Sequence, residues 1–142
     1  MSDPSAAGTI LVPVSAGELF DKISILRLKA ARIADPAALA NVATELALLE
    51  EAAARAIRPD PGLSPLLAEL DAVNAALWDI EDAIRERDRT GDFGPAFVAL
   101  AQSVYRTNDR RAAIKRAINR LTGSALTEEK SYAAHGGTAD GP

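Results

Sequence analysis

Read as a helix, the stretch NAALWDIEDAIRERD (residues 74–88) aligns Asn74, Trp78, Glu81 and Arg85 on one stripe, in steps of four, three and four. The chain's single tryptophan then stands among a carboxamide, a carboxylate and a guanidinium. A second stripe of similar character runs through residues 101–119, as Ala101, Tyr105, Asn108, Ala112, Lys115 and Asn119, with Arg111 beside it at a position where an apolar residue is expected. Glu18, Asp21 and Lys22 near the N-terminus, and Asp71 upstream of the tryptophan, complete the set of polar residues that simple solvation does not account for.

These residue types support three kinds of chemistry. As a binding site, Trp78 and Tyr105 form an apolar wall, Lys22, Arg85, Arg111 and Lys115 hold a carboxylate or phosphate, and Asn74, Asn108 and Asn119 orient hydroxyls. The ligand class is then a compact anionic or sugar-like small molecule. As a structural lock, Arg111 pairs with Glu18 or Asp71, Asn74 pairs with Asn108, and the network fixes one arrangement of helices. As a magnesium enzyme of the all-α nucleotide pyrophosphohydrolase type, Glu18-x-x-Asp21 and Asp79-x-x-Asp82 supply paired carboxylates on one helix face. That spacing is common in acidic helices by chance, and Lys22 and Arg85 stand where a magnesium site needs more acids.

Other chemistries lack their residues. There is no cysteine, and the only histidine is His135 in a glycine-rich stretch, so thiolate, histidine-base and histidine-metal chemistry are not expected, nor is a cofactor. Walker A, G-x-S-x-G and dinucleotide fingerprints are missing. The net charge of −4, with both signs interspersed, gives no phosphate-binding block for nucleic acid. No run is apolar for long enough to insert in a membrane, and the first residues do not form a signal peptide, so a soluble, cytoplasmic protein is expected.

Four amphipathic helices have to carry these residues. Residues 9–14 (TILVPV) are β-branched, but Pro13 and their short run favour an extended segment lying on the core. Ser15-Ala16-Gly17-Glu18 matches a capping box that starts helix 1, over 16–33, with seam Leu19, Ile23, Leu26, Ala30 and Ile33. Asp35-Pro36 starts helix 2, over 36–58, with seam Leu39, Val42, Leu46, Leu49, Ala53 and Ala56. Ser64-Pro65 repeats the cap-plus-proline device for helix 3, over 65–89, with seam Leu66, Leu70, Val73, Leu77, Ile80 and Ile84, ended by Gly91. Asp92 or Gly94-Pro95 opens helix 4, which runs to Leu121 before Gly123, with seam Phe97, Leu100, Val104, Thr107, Arg111, Ile114, Ile118 and Leu121.

Short connections make neighbouring helices antiparallel, and an up-down-up-down four-helix bundle is the expected fold. The whole is one helical domain over 10–132, preceded by a flexible stretch 1–9 and followed by a disordered tail 133–142. Helix 1 carries Ile25 and Leu28 off its main seam, so either its charges are partly buried or Ile25 packs beneath TILVPV and they stay wet.

In an antiparallel hairpin the numbers of facing residues have a constant sum, here about 183 for helices 3 and 4. Trp78 is then level with Tyr105, Asn74 with Asn108 and Asp71 with Arg111. Carried through the other turns, the same rule places Glu18 near Arg111 and Lys22 near Asn108. Small residues Ala101 and Ala112 would admit a neighbouring helix, including one from a homodimer mate.

The segments GELFDKISILRLKAARI (17–33), NAALWDIEDAIRE (74–86) and VYRTNDRRAAIKRAINRLTGSALTEEKSY (104–132), with ELFDK, LWDIED, NDRRAAIK and EEKSY as their distinctive pieces, resemble a small bacterial all-helical family characterised only as a domain of unknown function. The resemblance implies a stand-alone bacterial helical protein. It also implies a loose tie to cell-envelope carbohydrate pathways, because similar GEL-x-DK segments accompany glycosyltransferase-type proteins. It implies no catalytic residues. The expected function is a non-catalytic binding or assembly module, with a homodimer or another protein as partner.

Overall fold

A computed structural model describes residues 8–126. Residues 127–132 of the expected helical domain and the tail 133–142 lie outside the described residues, as does the N-terminal stretch before Gly8. Four helices make up the described chain: α1 (Ala16–Arg32), α2 (Pro36–Ala56), α3 (Leu63–Thr90) and α4 (Pro95–Thr122). The fold is all-α with no strand among the described residues.

The helix ends follow from local chemistry. Ser15 caps α1, its Oγ accepting the Glu18 amide at 3.1 Å. The box is only half formed, because the Glu18 carboxylate turns to lysines and not back to the Ser15 amide. Asp35 caps α2 through the Ala38 amide at 2.9 Å, with Pro36 in the first turn. Helix α3 begins earlier than Ser64-Pro65 predicts: Leu63 is already helical, Gly62 stands at the cap, and no side chain caps it. Asp60 organises this entry, its carbonyl accepting from Leu63 N and its carboxylate from Gly62 N. Gly91 and Gly123 end α3 and α4 in the left-handed region, with φ of 72° and 68°.

Cross-helix partners give the directions. Gly17, Glu18 and Asp21 of α1 meet Asn119, Lys115 and Arg111 of α4 in descending order, so these helices are antiparallel. Asn74 and Asp79 of α3 meet Asp21 and Arg32 of α1 in ascending order, so those two are parallel. A side chain at Gly62 would touch Leu121 at 3.4 Å, the level that the helix 3–helix 4 register requires. The up-down-up-down order therefore holds.

The packing is uneven. Helices α1, α3 and α4 touch one another, whereas α2 packs against α1 alone. The core is formed by Ala16, Leu63, Leu70, Val73, Ile114 and Ile118, with Phe20, Ile57, Leu66, Leu67 and Leu77 around it. It lies where the first half of α3 and the second half of α4 flank α1. At 28 residues each, α3 and α4 are about 42 Å long, against about 26 Å for the 17 residues of α1. The α3–α4 hairpin thus outruns α1. Beyond it, Ile80, Ile84, Phe97, Leu100 and Val104 are only half-buried, and Phe93 at the turn packs edge-on against Phe97 while remaining largely exposed.

Candidate functional site

Three helices converge on Asp21. Its side chain is 1% exposed. Arg111 of α4 grips the carboxylate with both arms of its guanidinium: Nε donates to Oδ1 at 2.9 Å and Nη2 to Oδ2. Asn74 of α3 donates through Nδ2 to Asp21 Oδ1 at 3.1 Å and to the buried Ser24 hydroxyl at 3.0 Å. Lys115, also buried, has its Nζ 3.6 Å from Asp21 Oδ2 and donates to Glu18 Oε2 at 2.7 Å. Lys22 approaches the other Glu18 oxygen at 3.7 Å from a half-exposed position.

Burial alone would raise the Asp21 pKa. The hydrogen bonds from Arg111 and Asn74, with the charges of Arg111 and Lys115, outweigh burial and hold the carboxyl below its usual range. Asp21 is a fixed anion, and its stability contribution rests on keeping these partners.

One turn toward the start of α1, the helix closes on the α4 backbone. Gly17 N donates to Asn119 Oδ1 at 2.7 Å, and Ala16 N to Ser124 Oγ at 3.3 Å. A Cβ at Gly17 would lie 2.5 Å from the Lys115 carbonyl oxygen. Glycine is what permits this approach. The Nδ2 of the buried Asn119 has no hydrogen-bond partner among the described residues.

Beside the cluster lies an open groove of about 400 Å³ between α1 and α3. Ile25, Leu28, Leu77 and Trp78 form its apolar surface, Glu81, Asp82 and Arg85 its rim, and Asn74 and Arg111 its inner end. The Arg32 guanidinium sits 5.8 Å from the Trp78 ring and donates to Asp79 at 2.6 Å. The groove lies where α1 ends and the hairpin runs on.

The structure unites Glu18, Asp21, Lys22, Arg111, Lys115 and Asn119 along the α1–α4 contact, joined by Asn74 from α3, and Trp78, Glu81 and Arg85 along the groove. Three expected pairings change. Arg111 takes Asp21, neither Glu18 nor Asp71, because α1 sits about one turn further along α4 than loop lengths suggest. Asp71 is exposed on α3, outside the cluster. Asn74 bonds to α1, and Asn108 instead accepts from Arg111 Nη1 at 3.4 Å.

The expected Trp78–Tyr105 wall is also replaced. Tyr105 is half-buried, lies outside the groove and has the Arg106 guanidinium 5.8 Å from its ring. Trp78 faces Ile25 and Leu28, so these residues pack toward α3 and not beneath TILVPV. That segment is not laid on the core: Ile10, Leu11 and Val12 are 82%, 66% and 66% exposed. Of the two small residues expected to admit a neighbouring helix, Ala112 is buried in the α4 face that carries Lys115 and Asn119 against α1, and Ala101 is exposed.

Sequence reasoning missed Gly17, Ser24 and Arg32, and it considered Asp82 only as a magnesium carboxylate paired with Asp79, whereas the structure places it on the groove rim. Ser24 lies three residues after Asp21 on the same face, and Arg32 continues the Ile25–Leu28 stripe by four, so spacing alone could have included both. No group of three or more His, Cys, Asp or Glu among the described residues stands close enough to hold a metal ion.

The fold and cluster define a small helical protein in which a buried, multiply paired aspartate joins three helices beside an open tryptophan-lined groove. The chain belongs to the family of unknown function DUF6165, which its residues 10–141 match. No curated protein and no solved structure matches it. No helix among the described residues is long and apolar enough to cross a membrane.

Proposed function

We propose that this protein is a non-catalytic binding module whose ligand occupies the α1–α3 groove beside Trp78, with the Asp21 cluster as the rigid wall behind it. The observation that carries the reading is the contrast between the two regions. In the cluster, Asp21 and Glu18 are engaged by Arg111, Lys115 and Lys22, which leaves no carboxylate poised as a general acid or base. The adjoining groove is open and falls within the volume range of small-ligand pockets.

The groove's chemistry favours a neutral, hydroxyl-bearing ligand of the sugar class. Glu81 and Asp82 offset Arg85 and Arg111, so there is no cationic excess to hold an anion. Lys22 and Lys115, expected to bind phosphate or carboxylate, serve the protein's own acids. Trp78, Ile25 and Leu28 offer a surface for the C–H face of a ring, while Glu81, Asp82, Arg85 and Asn74 supply acceptors and donors for hydroxyls. A place in bacterial cell-envelope carbohydrate metabolism, inside the cell, forms part of this proposal.

Trp78 is the only tryptophan, so its fluorescence reports the groove directly. Neutral oligosaccharides should shift its emission saturably, and inorganic phosphate should not. A response confined to phosphate or nucleotide sugars would replace this reading with an anion site. No response to any of them would refute a small-ligand groove of either kind.

A further inference from the structure

The buried network leaves one atom over at the inner end of the groove. Both Nδ2 protons of Asn74 are committed, to Asp21 Oδ1 at 3.1 Å and to the Ser24 hydroxyl at 3.0 Å. The Asn74 Oδ1 accepts no hydrogen bond among the described residues. It is not sealed from water either, since the enclosed side-chain atoms without a partner are Arg116 Nη1 and Asn119 Nδ2. Asn74 is 5% exposed and lines the groove, so the little surface it keeps is turned to that opening.

Charge dictates which way round this carboxamide sits. Asp21, gripped by Arg111 and approached by Lys115, is an anion and can only accept hydrogen bonds. The Asn74 atom facing it has to be the nitrogen. Turning the carboxamide over would set its oxygen against a carboxylate oxygen at the same 3.1 Å, and would leave a donor toward the groove.

We infer that Asn74 is the specificity-determining residue of the groove: its Oδ1 is a fixed acceptor that admits a ligand group able to donate, a hydroxyl or an N–H, and refuses one that can only accept. This role rests on the groove being a small-ligand site and adds the polarity of its inner end. Trp78 stands one helical turn further along α3, about 6 Å along the axis, so a saturated ring resting on the indole can aim one substituent at Asn74. A ring hydroxyl satisfies the oxygen. An ether, carbonyl or carboxylate oxygen at that point displaces water from Asn74 and gives no hydrogen bond back, and a site built to bond a hydroxyl discriminates strongly in this way. The Asp21 cluster thereby acquires a part in recognition. Asp21 is a positioning residue that holds the carboxamide with its acceptor outward.

The test uses two probes with one six-membered ring between them, tetrahydropyran-4-ol and tetrahydropyran-4-one, titrated into the isotope-labelled full chain. The alcohol donates and accepts, whereas the ketone only accepts. Nuclear magnetic resonance reads the Trp78 indole and the Asn74 side-chain amide separately. The alcohol should move both signals saturably, and the ketone should bind weaker by about tenfold or more. Asp21→Asn presents a carboxamide that can donate, which lets Asn74 turn over, and should erase most of that preference. The titration of the unaltered chain decides the role of Asn74 even if Asp21→Asn does not fold. Equal binding of the two probes at Trp78, or Asn74 amide signals that stay in place while the alcohol binds, overturns the assignment and leaves the groove as a ligand site. A preference that survives in folded Asp21→Asn overturns the positioning role of Asp21. If neither probe moves the Trp78 indole, no small ring enters the groove, and the assignment falls together with the small-ligand reading beneath it.

Discussion

Replacing Asp21 by Asn removes the anion on which three helices converge while keeping the side chain's shape. Breaking one side of a buried ion pair costs roughly 3–5 kcal/mol when the partner is left stranded. Here the stranding is partial. The Arg111 side chain is 27% exposed and can take up water, and Lys115 keeps Glu18 at 2.7 Å. The expected loss is about 2–3 kcal/mol, or roughly 5–10 °C in Tm for a chain of this size. Thermal and urea unfolding followed by circular dichroism would measure it.

Acid supplies an independent check on the same residue. Its folded pKa lies below the ordinary 3.8, so the unfolded chain takes up the proton first as pH falls. The contribution of Asp21 is therefore fully present above pH 3.8 and is lost as pH drops through the folded value. The gap between wild type and Asp21→Asn should be constant near neutral pH and should narrow below about pH 4. Arg111→Met completes a double-mutant cycle: it should be costly in the wild type and cost less than about 1 kcal/mol when residue 21 is already Asn. Equal cost in both backgrounds, or an acid-independent gap, would refute the claim that the cluster acts through the Asp21 charge.

Gly17→Ala should destabilise by about 1–3 kcal/mol in urea unfolding, because the added methyl meets the rigid Lys115 carbonyl at 2.5 Å. Ser15→Ala should cost about 1 kcal/mol through loss of the α1 cap, measured the same way. Hydrogen exchange should show α2 amides opening before those of the first half of α3, since α2 rests on α1 alone; equal protection would argue for further contacts on α2. Arg32→Gln should alter Trp78 emission while changing stability by less than about 1 kcal/mol, as both Arg32 and its partner Asp79 reach solvent.

The amino-acid sequence by itself determined the four helices, most of their ends and their antiparallel order. These are local matters. A 3.6-residue apolar period, the Asp35-Pro36 cap and the left-handed glycines at 91 and 123 act within a few residues, and short turns allow only one direction of return. It also singled out Asn74, Arg111, Lys115 and Asn119 as polar residues on faces meant for packing. The tertiary structure alone decided their partners. The rotation and stagger of α1 against α4 are set by the close approach at Gly17, and a shift of about one turn transfers Arg111 from the level of Glu18 to Asp21. The same rotation turns Trp78 toward Ile25 and Leu28 and away from Tyr105. That α2 would rest on α1 alone was equally beyond local reading. Its seam is as regular as the others, and periodicity states which face seeks cover without stating how many neighbours supply it.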